Sequence, residues 1–441
     1  MYISQTHGDN VDPQYSAQLE RIFNDGHVKT DRTGTGTKSL FAQMMRIDLT
    51  DFKVPFITTK RLFHRIVTDE LLWFISGSTD IGPLKAKNIN IWDSWVILKT
   101  AKYHDKDWDT IFAELAAKKN DSLTEVIKLV SAWFWLKSFS EFINVDDEAA
   151  PSLKEAASNV LSILMKNKIT TRWLVGGSIG SAAYGALWRN WEDTAIINKS
   201  ELEVYEKRGY TKVVDVDENR IVVNRMIDQL ANAIELLRTN PTSRRIIVSS
   251  WNPGKLELAV LPSCHTAYQF YSRPRNFSEV WTHVEKYGNA EQKECAQVYQ
   301  DTVDQYINEE QGNMHELAFI EEQRKLGTPV NALSIFLWQR SADAPVGEPF
   351  NLSQYAILCH MVAQITGHVA ETMAWTGVDT HIYTNQLKQV NMQLNRIAFE
   401  DTVTRIKLDP NVTEIDQFDS GSIVFEGYDE FHPSIKYNVA V

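Results

Sequence analysis

A cysteine set between a Pro-Ser pair and a run of apolar and aromatic residues constrains this chain more than any other stretch. The stretch is Leu261-Pro262-Ser263-Cys264-His265-Thr266-Ala267-Tyr268-Gln269-Phe270-Tyr271. Its second half has the composition of a buried strand, which places Cys264 at the strand's mouth. A side chain there is held rigidly while its sulfur faces a cavity. Thiolate chemistry needs that partly open position, beside positive charge or hydrogen-bond donors that lower the thiol pKa. Ser243-Arg244-Arg245 and Gln339-Arg340-Ser341 supply arginines that can converge on it. A structural cysteine is the competing reading, because free cysteine is among the most buried residue types.

The strand has company. Arg244–Trp251 and Leu333–Gln339, rich in Ile, Val, Phe and Trp, read as strands, and Ser39–Leu49 alternates like one. Asn351–Gly367 reads as a long apolar helix with Asn351 as N-cap and Gly367 as stop. Ala370–Trp375 and Asp379–Tyr383 are strands again. In the latter, period two puts Asp379, His381 and Tyr383 on one face, which is expected to line a cavity or else to be an exposed edge. Tyr15 to Gly26 reads as a short amphipathic helix. Arg61–Phe74 has helical spacing, with Glu70 among Ile66, Leu71, Leu72 and Phe74. A carboxylate in that company is costly unless it is paired or functional. Asp31-Arg32-Thr33-Gly34-Thr35-Gly36-Thr37 either presents backbone N–H groups to an anion or is a plain hairpin turn.

Three stretches carry no chemical motif and read as insertions: 96–179, a charged and helical subdomain, then 192–216 and 274–329. The last interrupts a hairpin between the Ala267–Tyr271 and Leu333–Gln339 strands. The whole chain, 1–441, is expected to form a single catalytic domain around them. With 441 residues, 43% of them hydrophobic, it can bury a large core. No run approaches the roughly 18–20 apolar residues of a membrane span, so no membrane association is expected. Three cysteines without a CxxC pair argue against a disulfide framework or a zinc site, and no metal is expected. A reducing, cytoplasmic setting follows. A formal net charge of −12 speaks against nucleic acid as a partner, and an anionic small ligand would need a local cluster of arginines.

Taken together, the motifs resemble those of the thymidylate synthase family. The matching blocks are Asp31–Thr37, Thr58-Thr59-Lys60-Arg61, Glu70–Phe74, Ile91-Trp92-Asp93, Tyr184-Gly185 with Trp188-Arg189, and Ser243–Ser249. They continue through Leu261–His265, Gln339-Arg340-Ser341, Gly347 with Pro349-Phe350-Asn351, Trp375-Thr376-Gly377 and Asp379–Tyr383, to the terminal Val439-Ala440-Val441. They follow the family's order and cover the chain outside the three insertions.

The resemblance implies an α/β (α+β) fold, with a mixed buried sheet and long helices, in a homodimer. It also implies transfer of a one-carbon unit from 5,10-methylenetetrahydrofolate to C5 of dUMP. C5 of a uracil ring is a poor nucleophile until a thiolate adds at C6, and Cys264 takes that role by position. Arg32, Arg340 and Ser341, beside Gln339, would hold the nucleotide phosphate, with Arg244 and Arg245 reaching in from the partner subunit. Asn351 would read the pyrimidine edge; relatives acting on dCMP have Asp there. His381 and Tyr383 would bond the 3′-hydroxyl. Glu70 resembles the general acid/base, and Tyr184 the residue implicated in removing the C5 proton. Asp343 would bind the pterin, flanked by Ile91, Trp92, Val346, Gly347 and Phe350. Lys60 would face the folate tail, and the C-terminal residues, Ala440 among them, would close over the site.

Hydride capture of the C5 methylene gives dTMP and dihydrofolate. Water capture gives 5-hydroxymethyl-dUMP and tetrahydrofolate, as in phage-type hydroxymethylases of the family. Trp92, Leu261 and Val439–Val441 stand where the family shields the methylene, which favours reductive methylation. The departures Ala182-Ala183, Leu187, Gln354, Val378 and Gln386 leave hydroxymethylation open and suggest a divergent, phage-encoded member, its cytoplasm then being the host's. A catalytically silent nucleotide- or RNA-binding regulator is the remaining alternative; intact Cys264, Arg340, Asp343 and Asn351 weigh against it.

Overall fold

The computed structural model describes residues 11–31, 33–95, 97–100, 174–306 and 312–439. The chain divides into two compact units, one comprising 1–77, 184–252 and 263–441, the other 78–183 and 253–262.

The first unit is built on a six-stranded sheet. In chain order its strands are β1 (His27–Lys29), β2 (Thr37–Asp48), β3 (Ile247–Ser249), β4 (His265–Pro274), β5 (Asn331–Asp343) and β6 (His368–Tyr383). They lie side by side as β1-β2-β6-β5-β4-β3. Only β5 and β6 run parallel, so the sheet is mixed, as expected. Successive side chains of β5 alternate between faces: Ile335, Leu337 and Gln339 are buried, whereas Phe336 and Trp338 are exposed.

Four helices matter for the site: α1 (Asp12–Asp25), α2 (His64–Ile75), α3 (Tyr184–Arg189) and α4 (Gly347–Ile365). α4 is apolar nearly all round, the pattern of a core helix, and packs against β5, β6 and α2. Each of its fully buried Leu and Ile side chains contributes about 1.5–3 kcal/mol. Its buried carboxyl group, Glu348, accepts from Gln18 of α1 at 2.7 and 2.9 Å.

Several local expectations are corrected. α4 starts at Gly347, so Asn351 lies inside it and is no N-cap. Pro349 sits in the first turn, where the missing N–H has no intrahelical partner to lose. The segments 370–375 and 379–383 belong to one strand, because Trp375 and Gly377 keep pairing on both sides, with Leu337 and Gln339 of β5 and with Met45 and Gln43 of β2. β3 is three residues long, which leaves Arg244, Arg245 and Trp251 outside it. Where β5 meets β4 the register shifts: Trp338 opposes Ala267 but Gln339 opposes His265. This β-bulge bends β4 at the point where the chain leaves it for Cys264.

The segment 192–216 is more than a polar insertion. Trp191–Asn198, Thr211–Asp215 and Arg220–Ile227 form a three-stranded antiparallel sheet over Ile197, Tyr210, Ile221 and Val223. Between β4 and β5 run three helices, Phe277–Tyr287, Ala290–Tyr306 and Gly312–Lys325, with a core of their own that includes Val280, Val284 and Phe319. In the second unit, Ile97–Thr100 pairs with Leu174–Ser178. The helices expected between those strands, over 102–166, lie outside the described residues. Among the described residues no helix is long and apolar enough to cross a membrane.

Candidate active site

Cys264 is the residue immediately before β4, and four contacts fix its neighbourhood. Its N–H donates to the Tyr184 hydroxyl at 3.1 Å, while the Tyr184 N–H donates to Ser263 Oγ at 2.9 Å. Arg340 donates from its backbone N–H to the Cys264 carbonyl and from Nε to the Ser263 carbonyl, both at 2.9 Å. The same guanidinium reaches Cys264 Sγ with Nη2 at 3.9 Å and lies over the Trp251 ring, 5.1 Å from its centroid. The cation that sequence reasoning sought beside the thiol is therefore Arg340. Burial pushes the Cys264 thiol up, against the downward pull of Arg340 and Tyr184. Burial likewise holds the Tyr184 phenol well above its usual value. At neutral pH both groups rest protonated, one beside the other.

Tyr184 opens α3 with φ +37°, a conformation that strains a non-glycine residue. Its ring stacks on Phe74 of α2, centroids 5.0 Å apart and planes at 18°. On the other side it meets His265 edge-on at 5.1 Å. Burial lowers the His265 pKa to about 4, so this imidazole is neutral.

A run of buried hydrogen bonds forms one wall. Trp375 Nε1 donates to Gln339 Oε1 at 2.9 Å, and Gln339 Nε2 donates to Asn351 Oδ1 at 3.0 Å. Asn351 Nδ2 donates to Gln354 Oε1 at 3.4 Å, and Gln354 Nε2 to Glu70 Oε2 at 2.6 Å. The buried carboxylate singled out on the 61–74 helix thus has a partner, on α4.

A second polar group gathers at the end of β5. Gln386 Nε2 donates to Asp343 Oδ2 at 3.2 Å and to the Asn438 carbonyl at 2.9 Å, linking Asp343 to the C-terminal segment. Asp343 Oδ1 is buried with no hydrogen-bond partner among the described residues. Burial raises the Asp343 pKa, opposed by His381, its register partner on β6. Lys60 donates to the Pro345 carbonyl and lies 5.1 Å from the Tyr437 ring centroid. Burial lowers its pKa to about 8. On β6 the expected Asp-His-Tyr face is half realised. His381 is buried and meets Tyr383 edge-on at 5.0 Å, while Asp379 pairs with the exposed Lys29 at 2.8 Å.

Among the residues singled out from sequence, Cys264, Tyr184, Arg340, Gln339, Asn351 and Glu70 form one connected group, and Asp343, Lys60 and His381 another. Ser341 lies between them on β5, while Val346, Gly347 and Phe350 surround the start of α4. Arg244 and Arg245 are exposed ahead of β3. Ile91 and Trp92 belong to the second unit. Arg32 and Ala440 lie outside the described residues. In the turn ahead of β2 the Asp31 carboxylate takes the Gly36 and Thr33 N–H groups at 2.6 and 2.9 Å, so those donors serve the hairpin and not an anion. Sequence reading gave no role to Trp251, Trp375 or Tyr437, and noted Gln354 and Gln386 only as departures. An amide placed beside a buried carboxylate was the available signal for both glutamines.

A family model described as Thymidylate synthase matches residues 13–441. A curated relative, "Thymidylate synthase" of Listeria monocytogenes serotype 4b (strain CLIP80459), is 30% identical over 429 residues, 97% of this chain and 99% of the relative.

Proposed function

The chain belongs to the thymidylate synthase family of one-carbon transferases, and on that premise we propose that it converts dUMP to dTMP through a covalent adduct at Cys264. The observation that carries the reading is the grouping of Cys264, Arg340 and Tyr184 at the mouth of β4, with the amide of Asn351 on the same polar wall. Cys264 adds to C6 of the uracil, and Arg340 lowers the cost of forming its thiolate. The Asn351 side chain, an amide that can both donate and accept, matches O4 and N3–H of uracil. Glu70 exchanges a proton at the O4 side, and the Tyr184 hydroxyl, protonated at rest, hydrogen-bonds the water that takes the C5 proton. Ser341, with Arg32, holds the phosphate, and His381 and Tyr383 bond the 3′-hydroxyl.

The family uses methylenetetrahydrofolate as co-substrate, and the residues present fit a pterin. The buried, unpartnered Asp343 Oδ1 needs a donor such as a pterin N–H, and Lys60 suits an anionic tail. The folate supplies the one-carbon unit and, in methylation, the hydride. Gly347 and Phe350 at the start of α4, with Val346, flank it, and the C-terminal residues exclude water.

A homodimer completes the proposal. Met44, Ile247, Tyr271, Phe336 and Trp338 are all exposed on the sheet, an apolar face suited to a second sheet. Arg244 and Arg245 then act in the neighbouring site. Hydroxymethylation is the second reading, favoured by the amides of Gln354 and Gln386, which bond Glu70 and Asp343 and add polar groups to the walls of the site.

One incubation with dUMP and methylenetetrahydrofolate decides. Product heavier by one methylene, with dihydrofolate appearing, supports methylation. An additional oxygen without folate oxidation means hydroxymethylation, and no product overturns both.

A further inference from the structure

The hydrogen-bonded wall has a direction, and chemistry at its two ends sets it. The indole N–H of Trp375 can only donate, so Gln339 must turn its oxygen to it. Gln339 Nε2 is thereby pointed at Asn351 Oδ1 and at the Ser341 carbonyl, 3.0 and 3.2 Å away, both acceptors. At the other end Glu70 Oε2 accepts from Gln354 Nε2, which leaves the Gln354 oxygen turned to Asn351. Asn351 is gripped with its oxygen toward Gln339 and its nitrogen toward Gln354, and its side chain also bonds His265.

The amide's sense matters because cytosine inverts the pattern of uracil: it offers a donor at position 4 and an acceptor at N3, and a flipped Asn351 would match it. We propose that Gln354 is a positioning residue that holds Asn351 in the uracil-reading sense by bridging it to the carboxylate of Glu70. The inference rests on the assignment of dUMP as substrate. Gln354 is 1% exposed and both its amide ends are engaged within the protein, so it acts through its neighbours and not by contact with the base.

The two ends of Gln354 do different work, which separates this role from simple packing. Gln354→Leu removes both bonds. The preference for dUMP over dCMP, measured as the ratio of kcat/KM values or of binding constants, should fall about tenfold, the worth of one discriminating hydrogen bond. Most of the change should appear in KM for dUMP. Gln354→Glu keeps an acceptor for Asn351 Nδ2 but sets a second carboxylate against Glu70. It should retain the preference within about threefold while kcat falls about tenfold or more. Should Gln354→Leu fail to fold, judged by its thermal transition, Gln354→Ser carries the same arm. Variants that all keep the wild-type preference overturn the proposal, as does a Gln354→Glu that loses it as fully as Gln354→Leu. Wild-type protein that does not bind dUMP overturns instead the substrate assignment beneath it.

Discussion

Gly185 presses its Cα against the carbonyl of Phe74 so closely that a Cβ built on it would stand 1.9 Å from that oxygen. The contact joins α3 to α2 and with it sets Tyr184, the first residue of one helix, against the helix that bears Glu70. Gly185→Ala should cost about 3 kcal/mol or more, since backbone on both sides must move. Gly209, with φ +84° and nothing within 4 Å of its added Cβ, is the control: alanine there should cost only about 1–2 kcal/mol of backbone strain. Urea titration of the two variants checks the contrast.

Arg340 lies 3.9 Å from the thiol and works against the burial that raises the thiol pKa. Arg340→Met should raise that pKa further. At fixed pH below it, iodoacetamide should then modify Cys264 about three- to tenfold more slowly, one unit being tenfold in thiolate. Faster modification would mean that Arg340 shields the sulfur more than it activates it.

Tyr184→Phe removes the hydroxyl that accepts the Cys264 N–H. Turnover should fall about 10²- to 10⁴-fold if the phenol handles the C5 proton. Affinity for dUMP should change little. Release of tritium from dUMP labelled at C5 isolates the step; unchanged release would leave the hydroxyl a structural role only.

Glu348 is fully buried, and desolvation raises its pKa from 4.5 to about 8, with Gln18 pulling the other way and Asp343 adding to the rise. The folded state therefore holds a proton that the unfolded state releases near pH 4.5. The stability this gives is complete below pH 4.5 and is lost as pH rises through about 8. Glu348→Gln should remove this fall from the stability profile. A variant whose profile keeps the wild-type slope between those values would assign it to other groups.

The sheet and its central helix were legible in the sequence because β4, β5 and α4 carry apolar runs too long and too regular to be loops. Their boundaries were less so. Asn351 looked like an N-cap, yet α4 starts four residues earlier, at Gly347, with Pro349 in its first turn, where a proline is harmless. The segments 370–375 and 379–383 read as separate strands, yet Gly377 between them pairs on both sides, a property of neighbouring strands and not of its own segment. At the site, Cys264 and Glu70 stood out because each is a costly or reactive group among apolar neighbours. The partners of Glu70 did not. Gln354 lies 284 positions away along the chain, and such pairings appear only once α2 and α4 are packed.

Phe336 and Trp338 face outward on β5, while Leu337 and Gln339 face the core and the polar wall. Deleting one residue from this strand would exchange the two sets, putting tryptophan where the amide belongs and glutamine on the apolar surface. Extra length can be absorbed only where the strand ends. The three helices between Pro274 and Asn331 stand at that kind of position, ahead of the first paired residue of β5. The chain can thus grow long without disturbing the spacing on which its chemistry depends, and trimming those helices should be tolerated by the site far better than losing a single residue from the strand.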